Sequence, residues 1–503
     1  SALRQSDFYR TLALPDRFLI LTYAEGGQDG AALRPAGLIR DVQALFPGLS
    51  VTGGVTANGR EDAPLSPLTA LEGLALRLRA LADGAQHTMD ERWQAALRWL
   101  WASRDWGAPI RRVVDGLDAR VEAGRLTAEQ TRRLFTQDTV SISRLEEFAA
   151  CPYRHFVDYG LKPVRRRDFV FDPMQRGDFF HEALCRYATL ASAMPGWPEV
   201  DEEQTDHLMD QVLAPITDAW EGGPLREDAM GRQLGESYVR DVRRAAWLLT
   251  RHARNSHFVT DGAEVAFGEP GGLPPVILTL GDGRRVALRG KIDRIDRYEG
   301  DHGLYLRIID YKSSPRDMDP TRLWYGLQLQ LLIYLQAASQ SRPGALPAGA
   351  FYFTVRDPMV SADEDVKAEA ERLIARALRL EGVVLAETEV VDAMDAQEKE
   401  FSLGKVFNKN GEVSATADAY DLSEMRALLE HARQTAAELT DRIREGRIDI
   451  APAQLAQWSA CDTCDYAAVC RRDPALPGGE KRCLTPLTRQ ELARRIANKD
   501  NEE

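Results

Sequence analysis

Apolar residues recur every three or four positions in the first part of the chain, which places them on one face of a helix. This spacing is found at residues 68–82, 91–100 and 128–135. The segments between them are richer in glycine and proline, as is typical of loops. The pattern therefore predicts a mostly helical region over residues 1–137.

A new unit is predicted to begin near residue 138. Ser143 and Glu146 stand three residues apart, the spacing of a capping box, in which two side chains satisfy each other's backbone amides at a helix start. We expect that helix to run into Cys151, and a second helix to carry His181. Further helices are predicted within residues 203–256.

The texture of the chain then changes to short segments rich in β-branched and apolar residues, separated by glycine-containing turns, which predicts strands. These segments are 276–280, 285–297 and 304–312. A helix over 323–339, a strand over 348–355 and amphipathic helices over 363–382 and 422–446 are predicted to follow. This order predicts an α/β fold with a mixed sheet. Residues 481–503 are expected to form a C-terminal tail.

The composition limits the class of protein. The chain has 503 residues, of which 44% are hydrophobic and 28% charged, as in ordinary globular proteins. No apolar run reaches the roughly 18 residues of a membrane span, and six cysteines are too few for a disulfide framework in so long a chain. We therefore expect no membrane association and a cytoplasmic location.

The net charge of −13 argues against a protein that coats nucleic acid with its whole surface. A local basic groove remains compatible with it. Arg166 and Arg176 belong to a basic stretch just ahead of His181, and they are candidates for such a groove. The alternative interpretation of this stretch is a solvated loop.

Three acidic or imidazole side chains and one lysine are candidates for hard-metal chemistry. Asp310 and Lys312 are two residues apart on a predicted strand, so their side chains leave the same face. Asp293 lies on the preceding strand, and a hairpin would bring it beside Asp310. Taken singly, Asp-x-Lys is compatible with a surface ion pair, and His181 with an interior histidine.

The cysteines form a second pattern, which points to a soft metal. Cys461, Cys464 and Cys470 form a C-x2-C-x5-C run, and Cys151 lies far upstream. Thiolates suit iron–sulfur clusters or zinc, and four buried thiols without metal are a further alternative. Cys185 and Cys483 lie outside the pattern.

The motifs taken in order closely resemble the RecB-type nucleases of the PD-(D/E)xK superfamily. They are Gly177-x3-His181, Gly290-Lys-Ile-Asp293, Ile309-Asp-Tyr-Lys312 and Gln330-x3-Tyr334. The resemblance implies a restriction-endonuclease-like core with a mixed central sheet flanked by helices. It also implies Mg²⁺ or Mn²⁺ bound by His181, Asp293 and Asp310, a Lys312 that helps to activate water, and Gln330 and Tyr334 supporting the site or touching DNA.

The cysteine spacing resembles the iron–sulfur staple of the AddB-type subunit of bacterial AddAB helicase–nucleases, as does the segment from Ser141 to Arg154. This resemblance implies a [4Fe–4S] cluster held by Cys151, Cys461, Cys464 and Cys470. It makes residues 138–480 the nuclease domain and residues 1–137 the end of a helicase-like domain. AddB-type subunits are considerably longer, so we expect a C-terminal part or a short relative.

The resemblance also implies a function. We expect a magnesium-dependent DNA nuclease, exonucleolytic on single-stranded ends, which processes double-strand breaks together with an AddA-type helicase–nuclease subunit. The alternatives are a stand-alone or CRISPR-associated exonuclease and a non-catalytic subunit that binds DNA ends.

Overall fold

The computed structural model describes residues 9–24, 33–51, 66–135, 138–164, 173–219, 229–356, 358 and 367–499. The chain divides into two compact units, Ser1–Asp118 and Ala119–Glu503. This division falls earlier than the boundary at 137/138 that the sequence suggested, because residues 119–135 pack within the second unit. The backbone N–H of Leu126, for example, donates to the carbonyl of Gly446 at 2.9 Å.

The first unit is helical, as predicted. Its helices are α1 (Gly37–Leu45), α2 (Pro67–Ala82), α3 (Glu91–Ala102) and α4 (Gly107–Asp115). Ser66 begins α2 through a capping box with Thr69, which satisfies amides that lack helical partners. A small core of buried side chains holds the helices together: Ala70, Leu74, Trp93, Leu100 and Ile110.

The second unit begins with helices and one short strand. Its elements up to residue 254 are α5 (Ala128–Leu134), β1 (Thr139–Ser141), α6 (Ile142–Ala150), α7 (Pro152–His155), a π-helix (Phe156–Leu161), α8 (Pro173–Ser192), α9 (Glu202–Ala219) and α10 (Ala229–Arg254).

A central sheet and its flanking helices follow: β2 (Val259–Phe267), β3 (Val276–Thr279), β4 (Arg285–Gly300), β5 (Gly303–Lys312), α11 (Pro320–Trp324), α12 (Gln330–Gln340), β6 (Leu346–Thr354), α13 (Lys367–Ala377), β7 (Glu381–Leu385), α14 (Thr388–Met394), β8 (Ala419–Tyr420) and α15 (Leu422–Arg444). The last elements are β9 (Ala453–Leu455), β10 (Trp458–Ser459), α16 (Ala467–Cys470), β11 (Arg482–Cys483) and α17 (Arg489–Lys499).

The large sheet is mixed, in the order β1-β4-β5-β6-β7-β8. The long strand β4 pairs with β3 through its first half and with β2 and β5 through its second half. Strand β5 is antiparallel to β4 and parallel to β6. Because helices cover this sheet, β5 and β6 are almost continuously buried, as expected for a central strand pair. The predicted α/β fold with a mixed sheet is confirmed.

Two predicted helices are shorter than the sequence suggested. The helix predicted over 323–339 is divided into α11 and α12, because Gly326 adopts a φ of +76° between them, a conformation that favours glycine. Within the predicted helix over 363–382, α13 ends at Ala377 and β7 begins at Glu381. Residues 363–366 lie outside the described part of the chain. Strand β2 was not predicted.

The prediction of a tail over residues 481–503 is wrong for residues 481–499. Strand β11 pairs with β9, and helix α17 buries Leu492 and Ile496 in the main core. The apolar spacing of these two residues, one helical turn apart, was the available signal. Residues 500–503 lie outside the described residues. No helix in the described part of the chain is both long enough and apolar enough to cross a bilayer.

A buried ionic triad lies in the sheet next to the predicted site. Asp296 on β4 is fully buried and accepts from Nε of Arg294 at 2.6 Å and from Nε of Arg307 at 2.9 Å. Both guanidinium groups are also buried. Burial alone would raise the pKa of Asp296, but the two arginines outweigh it and hold that pKa below its usual value. The carboxylate therefore neutralises charge that the sheet has removed from water.

Replacing Asp296 with alanine should be strongly destabilising, because it leaves two buried guanidinium groups without their shared carboxylate. We expect Asp296→Ala to lower the free energy of unfolding in urea by about 3–5 kcal/mol. The matched control is Glu299→Ala, which removes the exposed partner of Arg297 and should cost less than about 1 kcal/mol. Equal effects of the two substitutions would contradict the role of the triad.

Candidate active site

The hairpin of β4 and β5 brings the two predicted aspartates together. Arg294 is registered with Ile309, so Asp293 and Asp310 occupy neighbouring positions on adjacent strands. The carboxylate Oδ2 of Asp293 accepts from the backbone N–H of Tyr311 at 2.8 Å. This bond fixes the Asp293 side chain against β5.

Helix α8 adds the imidazole. Nδ1 of His181 lies 3.0 Å from Oδ2 of Asp293. Burial alone would lower the pKa of His181, but the hydrogen bond with Asp293 and the negative charges of Asp293 and Asp310 outweigh it and raise that pKa. The sequence prediction that His181 lies with the two aspartates agrees with this geometry.

Asp310 is the most buried member of the group. Its side chain is 1% exposed, and Nζ of Lys312 lies 2.5 Å from its Oδ2. Burial raises the pKa of Asp310; Lys312 opposes this effect and Asp293 adds to it. The lysine is thus held in place by the carboxylate two residues before it, as the alternation of side chains along a strand predicts.

Gln330 joins the group from the first position of α12. Its Nε2 donates to Oδ1 of Asp310 at 3.1 Å and to the hydroxyl of Tyr334 at 3.0 Å, and its Oε1 accepts from Nζ of Lys312 at 3.3 Å. One amide therefore contacts both the carboxylate and the lysine. Of the two predicted roles, the observed contacts are those of a supporting residue.

A glycine of the same motif series permits this packing. A Cβ at Gly290 would lie 2.7 Å from the ring of Phe267 and 3.0 Å from the ring of Tyr334. Contacts this close do not occur without movement of the neighbours. The absence of a side chain at this position therefore lets Tyr334 approach β4 and reach Gln330.

The capping box predicted for Ser143 and Glu146 is wrong. Helix α6 begins after Ser141, which makes no side-chain cap. Glu146 instead reaches α12, where its Oε1 accepts from the backbone N–H groups of Leu329 at 2.7 Å and Gln330 at 2.9 Å. The sequence spacing suggested a local partner, whereas tertiary packing supplied one far along the chain.

Basic side chains border the site. Arg176, one turn before His181 on α8, donates to the carbonyl of Ser313, the residue after Lys312. Arg316, which no sequence motif indicated, lies with its guanidinium 5.4 Å from the centre of the Tyr352 ring. Arg166 lies outside the described residues.

The four predicted cluster cysteines line one small cavity, with Arg154 and Arg472 among its other walls. Cys151 follows directly after α6, and its backbone N–H donates to the carbonyl of Glu147. All four cysteines are free thiols. Burial raises the pKa of Cys151, which two backbone N–H groups partly oppose. Cys185 and Cys483 lie elsewhere, as the sequence pattern indicated.

A known family model covers both groups of side chains. The model described as the PD-(D/E)XK nuclease superfamily matches residues 139–471, which is about two thirds of the chain. The matched range includes His181, the two aspartates, Lys312 and all four cysteines of the cavity. The chain belongs to the PD-(D/E)XK nuclease superfamily.

Similar proteins carry one name, that of the AddB subunit of an ATP-dependent helicase/deoxyribonuclease. The protein of Alkaliphilus oremlandii is 30% identical over 100% of this chain and 45% of its own length. The protein of Moorella thermoacetica is 35% identical over 95% of this chain and 42% of its own length, and that of Geobacillus kaustophilus is 31% identical over 97% and 43%. The chain thus spans less than half the length of these relatives.

The side chains of this PD-(D/E)XK site bind one another in the structure. Among the described residues, no three His, Cys, Asp or Glu side chains are arranged as a ready ligand shell for a metal ion. The donor chemistry nevertheless suits a hard cation, because two carboxylates and an imidazole converge. In addition, Oδ2 of Asp310 is buried and accepts no hydrogen bond with good geometry, although Lys312 lies close to it.

A buried histidine on the cysteine side is held in its neutral form. His155 is 1% exposed, and its Nε2 accepts from Nε of Arg144 at 2.9 Å. Burial, followed by the charge of Arg144, lowers its pKa to about 3, compared with an ordinary value of 6.5. The folded state therefore takes up this proton only in strong acid, whereas the unfolded chain takes it up near pH 6.5.

His155 should consequently make stability depend on pH. Its contribution is complete above pH 6.5 and is lost as the pH falls from 6.5 towards 3, because the unfolded state binds the proton first. We expect the free energy of unfolding of the wild type, relative to His155→Gln, to be lower at pH 5 than at pH 7.5. Urea denaturation at both values measures it; a difference independent of pH would contradict the assignment.

Proposed function

We propose that this chain carries a metal-dependent nuclease centre that hydrolyses phosphodiester bonds of DNA. The observation that supports the proposal most is the convergence of His181, Asp293, Asp310 and Lys312 at neighbouring positions of one PD-(D/E)XK fold. A structural role for these side chains would not require two carboxylates to be held together in a largely buried position, which is unfavourable without a cation.

His181, Asp293 and Asp310 would hold the metal, with Mg²⁺ or Mn²⁺ matching their oxygen and nitrogen donors. When bound at such a site, the metal supplies neutralisation of the phosphate charge and makes water more acidic. Lys312 is held by Asp310 and Gln330, so its ammonium can orient a water and stabilise negative charge on the phosphate. Asp310 keeps the lysine charged and in place.

DNA would be bound locally and not by the surface as a whole, since the chain has a net charge of −13. Arg176 and Arg316 are the cations that the described structure supplies close to Lys312. Arg166 remains a prediction. These side chains can contact backbone phosphates, which hold the strand without reading its sequence.

The cysteine cavity would hold a [4Fe–4S] cluster. Four thiols at one cavity match the ligand number of such a cluster, and Arg154 and Arg472 offer positive charge beside an anionic group. The cluster would join α6 to the segment around α16, two parts of the chain separated by the whole sheet. Its role is therefore structural in this proposal.

The biological setting is proposed from the relatives. Proteins named as the AddB subunit of an ATP-dependent helicase/deoxyribonuclease match this chain over nearly its full length, and we propose that it acts in a complex with an AddA-type helicase–nuclease subunit. The reaction would be exonucleolytic digestion of single-stranded ends during double-strand-break processing in the cytoplasm. A stand-alone exonuclease and a protein that only binds DNA ends are outcomes that the following assays distinguish.

Cleavage should depend on Asp310. We expect Asp310→Ala to lower the rate of digestion of 5′- and 3′-labelled single-stranded DNA with Mg²⁺ by roughly 1,000-fold or more, because several kcal/mol of transition-state stabilisation are lost. Asp282→Ala, which removes an exposed carboxylate paired with Arg284, is the control and should leave the rate unchanged. The assay is run with and without the helicase partner.

Three results would count against this part of the proposal. Undiminished cleavage by Asp310→Ala would exclude the assigned centre. Binding of DNA ends without cleavage by the wild type, with or without the partner and with Mg²⁺ or Mn²⁺, would favour the non-catalytic role. Full activity that is indifferent to the partner would favour a stand-alone enzyme.

The cluster assignment has its own test. We expect Cys461→Ala to lose bound iron and the visible absorbance of an iron–sulfur protein, and to unfold at a lower temperature. Cys483→Ala is the matched control, because Cys483 is an exposed thiol outside the cavity. A colourless wild type containing zinc, or equal iron content in Cys461→Ala, would overturn the assignment.

A further inference from the structure

Glu146 lies outside all the motifs discussed above, yet it connects the two candidate sites. Its carboxylate reaches across from α6 and accepts both backbone N–H groups at the start of α12, at 2.7 Å from Leu329 and 2.9 Å from Gln330. The first N–H groups of a helix have no partners within the helix, and Leu329 supplies no side-chain cap. Glu146 provides that cap from another part of the fold.

The position of α12 decides the position of the Gln330 amide. Gln330 is the first residue of α12, and its amide contacts Oδ1 of Asp310, Nζ of Lys312 and the hydroxyl of Tyr334. A shift of this first turn would move the amide away from both the carboxylate and the lysine. Small displacements of this kind have large effects on rates.

Helix α6 ties Glu146 to the cysteine cavity. Cys151 follows five residues later, about 8 Å along the helix axis, and it lines the cavity. Leu145 and Phe148 are buried in the core, and the carbonyl of Ala149 accepts from Arg482. The helix is therefore packed along its length and can transmit the position of Cys151 to Glu146.

We propose that Glu146 is a positioning residue: it holds the first turn of α12, and with it the Gln330 amide, in register with Asp310 and Lys312, and it makes that register depend on the cysteine cavity. The catalytic part of this inference rests on the proposed nuclease function. The structural part does not.

The kinetic test compares Glu146→Ala with Glu146→Gln. Because Glu146 does not touch DNA in this proposal, we expect Glu146→Ala to lower kcat by roughly 10- to 100-fold and to change KM by less than about threefold. Glu146→Gln keeps an acceptor oxygen and should recover kcat to within about fivefold of the wild type. A larger effect on KM than on kcat, or no rescue by glutamine, would overturn the positioning role.

Asp421→Ala is the matched control. Asp421 also caps a helix with its carboxylate, accepting from the backbone N–H of Glu424 at 2.8 Å at the start of α15. Loss of this cap should lower stability and leave kcat and KM of the folded protein within about twofold of the wild type. An equal fall of kcat in Asp421→Ala would show that loss of any cap suffices, which would contradict a specific role for Glu146.

The structural test is amide hydrogen exchange of the holoprotein at residues 329–332. We expect roughly tenfold faster exchange in Glu146→Ala, because two hydrogen bonds to a carboxylate are lost, and a smaller increase in Glu146→Gln. Cys461→Ser should also speed exchange at these residues, but should add little in the Glu146→Ala background, since coupled substitutions are not additive.

The outcomes separate the two proposals. Unchanged exchange in Glu146→Ala would overturn the positioning role, and additive effects of Cys461→Ser would overturn the coupling to the cysteine cavity. If Asp310→Ala is inactive and Glu146→Ala is as active as the wild type, the inference fails and the nuclease function stands. If the wild type does not cleave, the nuclease function fails and hydrogen exchange still decides the role of Glu146.

Discussion

Two carboxylates, Asp293 and Asp310, are held on neighbouring strands in a largely buried part of the protein. Like charges in such a place repel each other and are expensive to remove from water. The hairpin of β4 and β5 imposes this arrangement, and the surrounding groups compensate for it: Lys312 beside Asp310, His181 and the N–H of Tyr311 beside Asp293, and the Gln330 amide on Asp310. The proposed metal is the one further compensation that this arrangement invites.

The rest of the second unit supports that arrangement from three directions. Helix α8 supplies His181, helix α12 supplies Gln330 and Tyr334, and helix α6 fixes α12 through Glu146. Within the sheet itself, Asp296 neutralises two buried arginines and so stabilises β4 and β5 next to the site. The site is thus built on regular elements, whose side chains are positioned more firmly than those of loops.

Much of this arrangement was predictable from local patterns, because strand alternation places Asp310 and Lys312 on one face and a short hairpin returns Asp293 to them. The helical first unit and α15 followed from apolar periodicity in the same way. The errors share a cause: tertiary contacts decided them. Gly326 interrupts a helical pattern where Leu439 and Thr435 pack against it, and Glu146 caps a distant helix instead of its own. Similarly, the polar texture of residues 481–499 concealed the two apolar residues that bury α17.

The central claim is that the Asp293–Asp310 pair is a cation site in a PD-(D/E)XK nuclease fold. Anomalous diffraction from crystals of the protein equilibrated with Mn²⁺ tests it most directly, because manganese replaces magnesium at oxygen-rich sites and can be located unambiguously. We predict a manganese peak bonded to the carboxylates of Asp293 and Asp310 and next to the imidazole of His181. Saturating Mn²⁺ with no peak at this position, and with the Lys312–Asp310 pair unchanged, would contradict the claim.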